Sequence, residues 1–165
     1  LVQLVAEIDW ELRGQDEISA CTLSVLWIHE YCASIVAVGD SPVFLFREQV
    51  LSRIVGQSNR GYLRSFMGMG RDVVERVEVS IVEVQPGDVF ILATDGVSEL
   101  LGEKKVQSLW EVNPGADACA DAIIEEVRRR RGEDDATVVV VKAIVPGLEV
   151  EGPQDVPEPP PHLQG

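Results

Sequence analysis

The chain has 165 residues, enough for one domain with a substantial core, and its 45% apolar content is that of a globular protein. Its formal net charge of −14 argues against nucleic acid and anionic membranes as partners, because binding phosphate takes a basic surface. No apolar run approaches a membrane span, no signal peptide is recognisable, and the three cysteines (Cys21, Cys32, Cys119) match no zinc spacing, so the sequence reads as reduced and cytoplasmic.

In chain order, residues 1–12 place Leu1, Leu4, Val5, Ile8 and Leu12 at helical spacing, which predicts a helix turning those side chains to the core. The chain starts at Leu1 rather than Met, and the expectation is a longer helix and a longer protein. A polar loop, 13–19, follows. Residues 20–29 and 31–38 read as a hairpin with its tip at His29-Glu30. That tip sets Cys32 opposite Trp27 and Cys21 opposite Val38, so the two thiols do not pair. Both faces of the hairpin are apolar, which calls for cover on both sides. Gly39-Asp40-Ser41-Pro42 is a turn. Val43–Arg47 and Val50–Val55 are the next two strands, joined at Glu48-Gln49. Residues 56–73 are rich in Gly and polar residues without a period and read as a mobile loop. Residues 74–82 alternate and predict a strand with Val77, Val79 and Ile81 inward. Gln85-Pro86-Gly87-Asp88 is a tight turn.

The next stretch organises the rest. Val89 to Ala93 is a short buried strand that stops at Thr94-Asp95-Gly96, and Glu99 follows four residues after Asp95 on one face of a short helix. Two acids so placed repel unless water, a base or a cation stands between them. The plainer alternative is that Asp95 caps the helix. Glu103–Val112 is a second helix. Asn113-Pro114 starts a third, with Asn as cap, a buried stripe of Cys119, Ala122, Ile123 and Val127, arginines 128–131 against the dipole, and Gly132 as its end. Glu133-Asp134-Asp135 then leads into Thr137–Val145, apolar on both faces and therefore expected at the centre of a sheet. In an antiparallel pair the end of one strand lies beside the start of its neighbour, so Asp95 and Asp134 are expected to meet at one edge. Oxygen-only clusters of this kind suit Mg²⁺ or Mn²⁺. From Pro146 the chain holds six of its nine prolines and no Lys or Arg, a disordered tail by composition. The division is a domain at 1–145 and a tail at 146–165.

TDGVSELL (Thr94–Leu101), a helix, GEDDATVVVV (Gly132–Val141) and the earlier VGDS (Val38–Ser41) resemble, in that order, motifs of the metal-dependent protein phosphatases, the PPM or type 2C family. The resemblance covers residues 20–145. It implies an α+β fold of two antiparallel sheets packed as a sandwich with helices outside. It implies hydrolysis of phosphoserine or phosphothreonine in a phosphoprotein substrate, by water activated on two carboxylate-bridged divalent ions, with no protein nucleophile. The ions would be Mg²⁺ or Mn²⁺, two or three of them. Asp95 and Asp134 would ligate the main pair. Asp40, Asp95 and Glu99 would serve an additional ion, with Gly96 in the same metal site. For Asp40 the structural alternative, a turn residue bonding its own backbone, stays open. Glu99 stands where the family usually has Asp, and Asp135 where many members have Asn. Asp-Asp also occurs in the related sporulation-type (SpoIIE-like) branch, whereas VGDS leans toward type 2C. The loop at 56–73 falls where the family carries a flap, with Gly56-Gln57-Ser58 in place of Asp-His-Ser and Ser65–Gly68 like the turn that ends it. Arg60 and Arg64 in that loop are candidates for holding a phosphopeptide, against the commoner role of a solvated arginine. His29 and His162 read as turn and tail residues.

One departure matters. The family's N-terminal third supplies an early acidic ligand and an Asp-Gly-His-Gly-Gly element, and nothing here matches either. Two carboxylates alone leave a two-metal centre short of charge and fixed geometry. The expectation is therefore a C-terminal fragment of a phosphatase, weak in metal binding by itself, or alternatively a non-catalytic phosphatase-like interaction module.

Overall fold

Period-two alternation in the β-branched runs builds two antiparallel sheets, and their apolar faces decide how they stack. The structure is a computed structural model that describes residues 1–13, 20–56 and 63–144. The loop at 14–19, the start of the expected flap at 57–62 and the proline-rich tail lie outside the described residues.

One sheet holds β1 (Leu23–His29), β2 (Cys32–Val38) and β5 (Glu78–Glu83) in the order β1-β2-β5. The other holds β3 (Val43–Arg47), β4 (Val50–Val55), β6 (Val89–Ala93) and β7 (Val138–Lys142) in the order β4-β3-β6-β7. Ala33, Ile35, Ala37, Val43, Leu45 and Phe90 form the layer between the sheets. On the outer side of the four-stranded sheet pack α3 (Asp95–Leu101), α4 (Glu103–Val112) and α5 (Ala116–Arg129), through Val97, Val106, Trp110, Cys119 and Ile123. On the outer side of the other sheet lies α1 (Val2–Arg13), whose Val5 meets Val36 and Val38, beside a short α2 (Val73–Arg76). The expected sandwich of two sheets flanked by helices is therefore present. β2 is covered on both sides, as its two apolar faces require. Among the described residues no helix is long and apolar enough to cross a membrane.

Several expectations are corrected, each for a local physical reason. The first hairpin turns at Glu30-Tyr31, with Glu30 at φ 54°, so Trp27 faces Ser34 and His29 faces Cys32. Cys21 instead bridges to Met67, and both thiols are free. In α1 the buried residues are Val5 and Asp9, while Leu4 is 51% exposed. The Asp9 carboxylate accepts the backbone N–H groups of Gly68 and Gly70, and those bonds set the helix rotation. In β5 the facing is reversed: Ser80 and Val82 pair with Ile35 and Ala33 and turn toward the inter-sheet core, leaving Ile81 70% exposed. Val77, just outside the strand, packs on the α1 side with Val5, Val36 and Val38. β7 is not central: among the described residues it pairs with β6 alone. Asn113 closes α4, its side-chain amide donating to the Leu109 carbonyl, and Gly115 is the cap of α5. At the far end Arg131, φ 56°, takes the left-handed position expected of Gly132, whose N–H bonds the Val127 carbonyl.

Candidate functional site: an acidic corner at the ends of β6 and β7

β6 delivers its last residue, Ala93, to a corner where three segments meet. Thr94 leaves the strand extended and occupies the cap position of α3, without a side-chain capping bond. Asp95 is thus the first residue inside the helix rather than its cap; its carboxylate accepts the N–H of Gly96 at 2.9 Å. Thr94 instead ties this corner to the entry of β7. Its N–H donates to the Thr137 carbonyl at 3.1 Å, its hydroxyl accepts the Thr137 N–H at 3.0 Å, and the same hydroxyl donates to the Asp135 carbonyl at 3.3 Å.

Gly96 explains the closeness of the approach. A Cβ at this position would lie 2.5 Å from the Asp135 carbonyl oxygen and 3.4 Å from that of Asp134. Any other residue would collide with backbone, so glycine is required for the Asp134-Asp135 segment to lie against the start of α3. Asp95 and Asp134, far apart in sequence, are carried on backbone that meets here. The Asp134 carboxylate accepts the Asp135 N–H at 2.8 Å.

The turn at 39–42 is the third segment. The Ala93 N–H donates to the Pro42 carbonyl at 3.0 Å, which fastens the turn to the end of β6. Gly39, at φ 105°, donates its N–H to the Ser65 hydroxyl at 3.0 Å. Ser41 shares a 2.8 Å hydrogen bond with Thr22, and its carbonyl accepts the Ser24 hydroxyl. Burial pushes the Asp40 carboxyl above its usual range, the charges of Asp95 and Glu99 push it further, and a bond from its own backbone opposes them. Asp40 therefore fits its reading as a turn residue, and its acidic neighbours are those the resemblance names. It bonds its own backbone as a turn residue, and it lies within electrostatic reach of Asp95 and Glu99.

The donor set falls short of a metal centre. Among the described residues no three His, Cys, Asp or Glu side chains converge closely enough to hold a metal ion. The acids present bring charge to one corner but do not by themselves fit a divalent cation, which needs six or more oxygens in fixed geometry. His29 is at the hairpin end of β1, whereas Gly39 follows the opposite end of that hairpin. Gln57, Ser58, Arg60 and His162 lie outside the described residues. Three residues have organising roles that the sequence did not assign to them: Thr94, Ser65 and Asp9. Thr94 had a legible signal, a hydroxyl between a strand end and an Asp-Gly. Ser65 and Asp9 had none, because their partners are remote backbone N–H groups.

The family model for Stage II sporulation protein E (SpoIIE) matches residues 1–144. Of the two branches that the motifs leave open, this is the sporulation-type one. Among solved structures, the catalytic domain of the serine threonine protein phosphatase PstP in complex with two manganese ions is 21% identical, with a TM-score of 0.71 over 86% of this chain and 67% of that chain. The S. agalactiae serine/threonine phosphatase is 12% identical, with a TM-score of 0.75 over 87% of this chain and 69% of that one. The phosphatase domain of the cell fate determinant SpoIIE from Bacillus subtilis is 22% identical, with a TM-score of 0.54 over 90% and 75%. The chain spans about two thirds of the length of most of these structures. No curated protein sequence matches it.

Proposed function

The chain belongs to the Stage II sporulation protein E (SpoIIE) family, and from that membership we propose that it carries the Asp95–Asp134 corner of a metal-dependent phosphatase acting on phosphoserine and phosphothreonine. The fold is that of the PPM serine/threonine phosphatases. The observation that carries the reading is the contact at Gly96, where the Asp134-Asp135 backbone lies against the start of the helix that bears Asp95 and Glu99. In this proposal Asp95 and Asp134 are metal ligands, Asp40 and Glu99 serve an additional ion, and Gly96 keeps the two segments close enough to share a cation. The ions are Mg²⁺ or Mn²⁺, and they supply water activation when bound. Further ligands must come from outside the described residues, because those present do not complete a site. The substrate is a phosphoprotein. Net charge of −14 speaks against nucleic acid and anionic membranes, and the three free cysteines are in keeping with a reducing cytoplasm.

The test is Mn²⁺-dependent hydrolysis of p-nitrophenyl phosphate by the protein expressed from its whole open reading frame. Asp95→Asn and Asp134→Asn are each expected to lower turnover roughly 100-fold or more and to weaken Mn²⁺ binding in calorimetry more than about tenfold, the minimum expected for a direct ligand. Unchanged Mn²⁺ affinity in both variants ends the reading. The shortfall of carboxylates at the corner favours a second reading, a non-catalytic phosphatase-like interaction module. That reading predicts phosphopeptide binding without Mn²⁺-dependent turnover in the same protein.

A further inference from the structure

The stretch 60–76 carries four arginines against two acids, Asp72 and Glu75, in a chain whose net charge is −14. Three of the four, Arg64, Arg71 and Arg76, lie in the described residues, and all three are exposed. Four arginines elsewhere are ion-paired: Arg47 holds Asp88 at 2.7 Å, Arg53 holds Glu103 at 3.0 Å, and Arg129 and Arg130 hold Glu126. Among the described residues no carboxylate is ion-paired with Arg64 or Arg76.

Their position is anchored to the acidic corner. Ser65, next to Arg64, is buried, and its hydroxyl accepts the N–H of Gly39, the residue before Asp40. Two residues on, Met67 bridges to Cys21 through a pair of backbone hydrogen bonds. The Arg76 guanidinium donates to the Arg64 carbonyl at 3.2 Å, which brings the second cation to the same place. Residue 64 is thus held at the border of the corner by its neighbours' bonds, while its side chain faces solvent.

A phosphoprotein approaching this surface meets repulsion from the whole molecule. Two exposed guanidinium groups that no described carboxylate neutralises offer positive charge on this edge, and guanidinium is the side chain best matched to carboxylate geometry. We propose that Arg64 and Arg76 form a substrate-recognition edge beside the corner, selecting phosphopeptides with Asp or Glu next to the phosphorylated residue. The proposal rests on the phosphatase reading and names its substrate class.

The experiment compares two phosphoserine peptides, one with flanking Asp residues and one with flanking Ala, on the protein from its whole open reading frame. Wild type is expected to prefer the acidic peptide in kcat/KM, through KM. Arg64→Ala is expected to reduce that preference ratio about 5-fold, the upper range for an exposed ion pair. Arg64→Lys restores part of it, and raising NaCl collapses it in wild type, because exposed pairs are screened. Fluorescence anisotropy with the same peptides reads the edge without turnover. A wild type that treats both peptides alike in kinetics and in binding overturns the proposal, as does a ratio unmoved by Arg64→Ala and Arg76→Ala. Preferential binding of the acidic peptide, lost in Arg64→Ala, without Mn²⁺-dependent turnover would leave the edge standing and overturn the phosphatase reading instead.

Discussion

Gly96 concentrates the problem of the acidic corner in one residue. Its missing side chain is what lets the Asp134-Asp135 backbone lie against α3. Gly96→Ala is expected to cost about 1–3 kcal/mol in urea denaturation, the range for overpacking against unyielding backbone. In the complete protein it should also weaken Mn²⁺ binding while leaving Asp95 and Asp134 intact, a split that calorimetry reads directly. Glu126 shows charge used for structure. Hydrogen bonds from Arg129 and then Arg130 hold its carboxylate down, from an ordinary 4.5 to about 2. A group with a depressed folded value contributes stability above its ordinary value and loses it as pH falls toward the folded one. Wild-type Tm should therefore fall between about pH 4.5 and 2, and Glu126→Gln should flatten that part of the Tm profile while lowering Tm at neutral pH. Asp95 and Asp134 were legible as acids at strand ends. The buried Glu126 was not, since a run of arginines near a helix end says nothing about which acid they enclose.

At the scale of elements, β5 separates what alternation determines from what it leaves undecided. Period two requires Val79 and Ile81 to share a face, and they do. It does not say which face is inward. The register opposite Ile35 and Ala33 gives that place to Ser80 and Val82, leaving Ile81 to solvent. Ile81→Lys is accordingly expected to change stability by less than about 0.5 kcal/mol, the range for surface positions. Ile35→Ala, fully buried on the neighbouring strand, should cost about 2–5 kcal/mol. Chemical denaturation of the two variants tests the facing; similar losses in both would contradict it. α1 follows the same logic, because the apolar stripe suggested one rotation and the bonds from Asp9 to Gly68 and Gly70 impose another.

For the whole molecule the dominant long-range quantity is charge. At −14, self-repulsion opposes the compact state, and added salt screens it. Tm is expected to rise between about 10 and 300 mM NaCl, a range over which the Debye length falls from about 30 Å to below 10 Å. For residues 1–165 alone, Mn²⁺ should raise Tm no more than Mg²⁺ or Ca²⁺ at equal ionic strength, since the donor set is incomplete. A selective Mn²⁺ shift in thermal melts of this chain would show that the acids converge more closely than the structure has them.

The sequence by itself determined the order of the strands, most of the turns and which acids stand at strand ends, because local periodicity and turn chemistry act over a few residues; the start of the strand expected at 74–82 is instead the helix α2. Only the tertiary structure decided that β7 lies at an edge, that the first hairpin turns one residue later, and that Thr94, Ser65 and Gly96 join three distant segments. Those outcomes depend on pairing and close approach between residues far apart in the chain, and no local pattern encodes the partner.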